Sequence, residues 1–195
     1  MGLISGTTII TSLCLFHITL GFFFLTNPKS VADQAMVWVL GEAMGLPHVR
    51  NFEAQSPGLA FLGIILGLYG ITDLVTLSRE EVQVHEHWGI QSPLRFTLSF
   101  VLTLYTFFFS AASPLYTSAD SSPMASRSGY AHHPNPNYTP SGWGGDAMKN
   151  RVFFTFMFIE TISWLWVWVT LQEERREVLV RRQSKLARRR SGSHM

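Results

Sequence analysis

The chain of 195 residues has a single cysteine, Cys14, and no lysine or arginine before Lys29. One thiol excludes an internal disulfide framework and any metal site built from several cysteines. Cys14 lies in an apolar run and reads as a small packing residue. Because no base precedes that run and Phe22-Phe23-Phe24-Leu25 is no small-residue cleavage site, an ordinary secretory signal is not expected, and the segment reads as a retained helix. An Arg-rich, amphipathic import presequence is lacking too. Charge is scarce, at 14% of residues with a formal net charge of +2, and no direct nucleic-acid partner is expected. It is also uneven: 8 of the 15 Lys and Arg follow residue 174.

Long charge-poor runs make up most of what is present. Residues 8–25 carry no charge and end at Asn27-Pro28. Residues 57–77 hold one acid, Asp73, and residues 94–113 one base, Arg95, before Pro114. Residues 152–171 hold one acid, Glu160, near their middle. Each run is about 20 residues, enough at helical rise to cross roughly 30 Å of hydrocarbon. Backbone polar groups in lipid need partners inside the segment, so helices are expected. The expected fold class is all-α, an integral membrane four-helix bundle. Residues 1–177 would form the membrane domain and residues 178–195 a basic cytosolic tail.

A further helix is expected between the first two spans. Val31, Ala35 and Val39, with Ala32, Met36 and Leu40, recur at helical spacing, and Asp33, Gln34, Gly41 and Glu42 mark another face. Ser30 with Asp33 gives a start like a capping box, and Gly45 and Pro47 give a stop. Such a short amphipathic helix would lie on or dip into the membrane. Ser56-Pro57 starts the second span with serine at N-cap and proline at N1. Residues 117–150, rich in Ser, Pro, Gly and Asn, are expected to form a flexible luminal loop. It holds a glycosylation sequon at Asn137, made a poor acceptor by Pro140. His85, Glu86 and His87 read as a solvated loop, since two histidines two apart do not complete a metal site. No metal or cofactor is expected.

Four spans put both termini on one side. The tail bases, with Arg79 and Arg95, outweigh Lys29, Arg50, Arg127, Lys149 and Arg151 on the other side, so both termini are expected in the cytosol. Arg181, Arg182, Lys185, Arg188, Arg189 and Arg190 would contact anionic lipid headgroups, at about 1 kcal/mol per base. Ser184 and Ser191 follow arginine pairs, where phosphate would weaken that contact.

The polar residues within the spans are the candidate site. Asp73 and Arg95 lie near the cytosolic ends of adjacent spans and are placed to pair, either structurally or as part of a ligand or ion site. Glu160, in mid-membrane, is costly unless paired, protonated or hydrated. His17 lies at matching depth, and a hydrogen bond between a neutral Glu160 and His17 would meet that cost; proton transfer or ion binding is the alternative. Trp164 shares the face of Glu160, yet Trp164, Trp166 and Trp168 together read as an interfacial belt. Gly63, Gly67 and Gly70 form a small-residue face for internal helix packing or for a homodimer.

The segments LTNPKSVADQAMVWVLGEAMGLP at 25–47, SPGLAFLGIILGLYGITDLVTL at 56–77 and WGIQSPLRF at 88–96, with the acid in the last span, resemble the fungal "increased loss of mitochondrial DNA protein 1" family. The resemblance implies a small multi-pass protein of the endoplasmic reticulum membrane, with a mitochondrial membrane as the alternative. Its effect on mitochondrial DNA would be indirect. It carries over no catalytic residue. The expected function is non-enzymatic, supporting mitochondrial genome maintenance through membrane or lipid homeostasis. The alternatives are an intramembrane lipid- or sterol-binding protein or isomerase-like enzyme with a pocket around Glu160, and an ion-conducting oligomer. The expected partners are the bilayer itself, anionic lipids at the tail, and a membrane-protein partner or second copy.

Overall fold

The computed structural model describes residues 4–110 and 143–192, with side chains as far as residue 177. The described residues are helical, with no strand among them. Helix α1 spans Gly6–Thr26, α2 Lys29–Ala32, α3 Ala35–Ala43, α4 Pro57–Thr76, α5 Glu81–Phe108 and α6 Arg151–Gly192. Short 3-10 turns occupy Arg50–Phe52 and Gly144–Met148. The loop residues 111–142, including Asn137 and His132-His133, lie outside the described residues, as do the side chains of the tail bases.

Each start has a local cause. Ser5 caps α1 by accepting from the Thr8 N–H, and Ser56 caps α4 by accepting from the Leu59 N–H at 3.2 Å, with Pro57 in the first turn. Asn150 Oδ1 accepts from the Phe153 N–H at 2.9 Å and opens α6. The last eight residues of the supposedly flexible loop, 143–150, are folded. The 3-10 turn is closed there by the Lys149–Asp146 ion pair and leads straight into α6.

Among the described residues, three helices are long and apolar enough to cross a membrane: α1, α4 and residues Arg151–Glu177 of α6. Residues 94–108 of the fourth expected span, 94–113, fall within α5, which is not among them, and residues 111–113 lie outside the described residues. Arg95, Ser99, Thr103 and Thr106 give α5 a polar face, and that face is turned inward. Residues 81–93, which include His85, Glu86 and His87 of the expected solvated loop, are also helix. Val84, Trp88 and Ser92, four residues apart, form a buried line that carries α5 about four turns before Arg95. Pro93 sits inside α5, where the helix accommodates it.

The intervening amphipathic helix is divided in two. Pro28, with φ −62°, starts a turn directly at Lys29, so Ser30 falls inside α2 and caps nothing. Gln34 turns extended, and α3 begins afresh. Gly41, on the face marked by Gly41 and Glu42, packs on α6. A Cβ on Gly41 would lie 2.3 Å from Arg151 Cγ, and Arg151 Nη2 reaches Glu42 Oε2 at 2.8 Å. Met36, Trp38 and Val39 point outward. Gly45, at φ 63°, ends α3 in a conformation that suits only glycine well.

Packing is pairwise: α1 lies along α4, α5 along α6, and α1 and α3 also meet α6. Gly21 of α1 makes the first contact possible. A Cβ there would fall 2.6 Å from the Gly63 carbonyl oxygen, and one on Gly70 would fall 2.7 Å from the Cys14 carbonyl oxygen. These glycines serve internal packing. The outer surface is apolar, with Phe61 70% and Ile90 72% exposed, while Asp73, Thr103 and Glu160 are buried. That inversion of the usual soluble pattern matches a hydrocarbon surround.

Candidate functional site

The five candidate polar residues come together in one cluster. Arg95, about four turns into α5, forks onto Asp73 of α4, with Nη1 at 2.5 Å from Oδ2 and Nη2 at 3.0 Å from Oδ1. A bidentate pair of this kind uses both carboxylate oxygens and gives direction as well as attraction. The guanidinium also lies against three rings, its Cζ 4.5 Å from the centroid of Tyr69, 5.0 Å from Trp88 and 4.8 Å from Trp164. Such cation–π contacts are worth about 0.5–2 kcal/mol each, more when desolvated.

Glu160 is held on both sides. His17 Nε2 lies 2.8 Å from Oε1, and Trp164 Nε1 donates to Oε2 at 2.7 Å. Two electroneutral arrangements fit the His17 contact. A protonated Glu160 can donate to Nε2, or an imidazolium can donate to the carboxylate. His17 is packed edge-on against Tyr69 and Phe156, with centroids at 5.3 and 6.0 Å.

Trp164 joins the halves, since it binds Glu160 through its N–H and faces Arg95 with its ring. It is 1% exposed, so it is not a member of the interfacial belt, although Trp166 is exposed as a belt residue would be. The register of α6 against α5 turns Trp164 inward, whereas Trp168 stacks on Phe96 at 6.0 Å. Reasoning from sequence missed Tyr69 and Trp88. Tyr69 lies four residues before Asp73, and Trp88 lies on the line Val84–Trp88–Ser92, so helical spacing carried the signal for both.

Two smaller polar knots flank the cluster. At one end Glu174 accepts from the Gly6 N–H at 2.9 Å and meets His85 Nε2 at 3.1 Å, tying α6 to α1 and α5. At the other, Arg151 Nε donates to the Leu46 carbonyl at 2.7 Å beside its pair with Glu42. Of the glycine face, Gly63 and Gly70 are closed by α1, whereas a Cβ on Gly67 meets nothing within 4 Å. Among the described residues, no group of three or more His, Cys, Asp and Glu is placed to hold a metal ion.

A family model described as Ilm1, Increased loss of mitochondrial DNA protein 1, matches residues 4–181. No curated protein and no solved structure matches the chain.

Proposed function

From the premise that the chain belongs to the increased loss of mitochondrial DNA protein 1 family, we propose a four-span protein of the endoplasmic reticulum membrane that supports mitochondrial genome maintenance indirectly. It acts without catalysis, through membrane or lipid homeostasis, with both termini in the cytosol. The observation that carries the non-catalytic reading is the engagement of Glu160 and Asp73: all four carboxylate oxygens meet a partner within the fold. A carboxylate so held is suited to joining helices. In α5, Arg95, Ser99, Thr103 and Thr106 turn inward and the apolar Leu98, Val101 and Phe108 turn outward, which supports a fourth span despite its lower apolarity.

One observation favours a second reading. His17 Nδ1 is buried without a hydrogen-bond partner, beside an acid. An imidazole with one free nitrogen can pass a proton from Glu160 to a ligand, as an intramembrane isomerase would require. Expression of the Glu160→Gln chain in cells lacking the protein separates the two. Under the non-catalytic reading it restores retention of the mitochondrial genome, with the chain sedimenting with endoplasmic reticulum markers. Normal abundance without restoration would favour proton transfer, and enrichment in purified mitochondria would overturn the location.

A further inference from the structure

The polar knot at Glu174 holds a histidine between two acceptors. His85 Nδ1 lies 2.8 Å from the carbonyl oxygen of Glu81, one turn earlier in α5, and Nε2 lies 3.1 Å from Oε2 of Glu174 on α6. A carbonyl oxygen can only accept, so Nδ1 carries a proton. The Nε2 contact then needs one more, on the ring or on the carboxyl. Glu174 Oε1 also accepts from the Gly6 N–H at 2.9 Å. That N–H belongs to the first turn of α1, where donors have no partner within the helix and negative charge is favoured. The second proton therefore resides on His85, as an imidazolium that donates from both nitrogens.

His85 is gripped by its backbone as well. Arg175 Nη2 donates to the His85 carbonyl at 3.0 Å. Gly89, one turn further on, makes the room, since a Cβ there would fall 2.5 Å from that same Nη2. The charged groups set against His85 are thus Glu174 and Arg175 of α6, with Glu81 one turn back on α5, while α1 presents the Gly6 N–H. Arg175 opposes a second positive charge, and Glu174, in contact with the ring, favours it. The side chains of His85 and Glu174 are 15% and 27% exposed, so solvent protons reach the pair.

We propose that this knot is a pH-operated clasp, which fastens the starts of α1 and α5 to α6 while His85 is protonated. The Glu81 carbonyl retains the Nδ1 proton, so the proton that leaves is the one on Nε2. Its departure turns a bare lone pair toward a carboxylate. The closed clasp holds one proton more than the open one, and rising pH therefore opens it. Opening releases the first turn of α1 from α6. This adds a regulation to the function proposed above. Only the compartment whose pH is sensed rests on the orientation given there, and the test does not depend on it.

The test uses the full chain in detergent micelles, with ¹⁵N in the histidine rings, at about pH 5.5 and about pH 8, within and above the range where imidazoles change charge. The His85 signal, identified by its loss in His85→Lys, should show both nitrogens protonated at the lower pH and an Nδ1–H ring at the higher. In a Cys14→Ala background, a nitroxide on Ile4→Cys, exposed beside the Ser5 cap, reports the start of α1. Its ratio of mobile to immobile signal should rise roughly two- to fivefold from the lower pH to the higher, the range set by a part-exposed ion pair. Glu174→Ala should be mobile at both values, and His85→Lys, charged throughout, should be immobile at both. Equal mobility at the two values in the chain that keeps His85 and Glu174 would overturn the clasp. So would a pH response that survives in Glu174→Ala or His85→Lys, or a His85 ring already neutral at the lower pH.

Discussion

The rings of Trp88 and Trp164 stack at 5.6 Å with 12° between their planes, and the Arg95 guanidinium lies against both. The two tryptophans come from α5 and α6, so the charge is held at the seam of that pair while its fork reaches across to Asp73 on α4. A buried guanidinium needs both its fork and its apolar cover, and the stack supplies the cover.

Removing either member of the Asp73–Arg95 pair leaves the other charge stranded. Asp73→Ala and Arg95→Ala should each cost about 3–5 kcal/mol and lower abundance sharply. The double variant should cost less than the sum. Arg95→Lys keeps charge but loses the fork and should fall between. Melting temperatures in detergent for all four chains decide this, and strict additivity would count against the pair.

The α1–α4 contact predicts an ordering among glycines. Gly70→Ala and Gly63→Ala place a Cβ against backbone of α1 and should each cost about 1–3 kcal/mol. Gly67→Ala meets open space and should be neutral or slightly stabilising through helix propensity. Thermal unfolding of the three variants is the check. An equal loss at Gly67 would mean that this face meets a second chain.

Glu160 should tolerate glutamine and not leucine. The amide of Glu160→Gln can accept from Trp164 and donate to His17, so fold and abundance should hold. Glu160→Leu leaves the Trp164 N–H and His17 Nε2 buried without partners, at about 1–3 kcal/mol each. Trp164→Phe should show a loss of the same order through the opposite end of that bond. Protein level by quantitative blot and resistance to limited proteolysis read all three; an unaffected leucine variant would count against the role given to this carboxyl.

Orientation is checked in sealed microsomes. With both termini in the cytosol, added protease should remove a C-terminal epitope and spare one placed between α5 and α6. A protected C-terminus would reverse the orientation.

Much of this geometry was legible in the sequence because helical rise is uniform. Counting inward from the ends of apolar runs is enough to set His17 level with Glu160 and Asp73 level with Arg95. What depth cannot give is rotation about the helix axis. Trp164, Trp166 and Trp168 look alike in a list, and only the register of α6 against α5 sends the first inward. Average hydropathy likewise hides residues 81–93. Glu81, His85, Glu86 and His87 dominate the average, while Val84 and Trp88 supply the apolar part of the contact. The break at Asp33–Gln34 has no strong local marker, since neither residue is a glycine or proline. It follows from Pro28 fixing the first turn and from Gly41 seating on Arg151.

Helix α6 runs unbroken for 42 residues, a rod about 63 Å long and about twice the hydrocarbon thickness. Glu160 and Trp164 lie on the same rod as the arginine-rich end. No loop separates them, so the arginine-rich end is a direct continuation of the segment that carries the acid and the indole. The charged end and the polar core are thus one mechanical part.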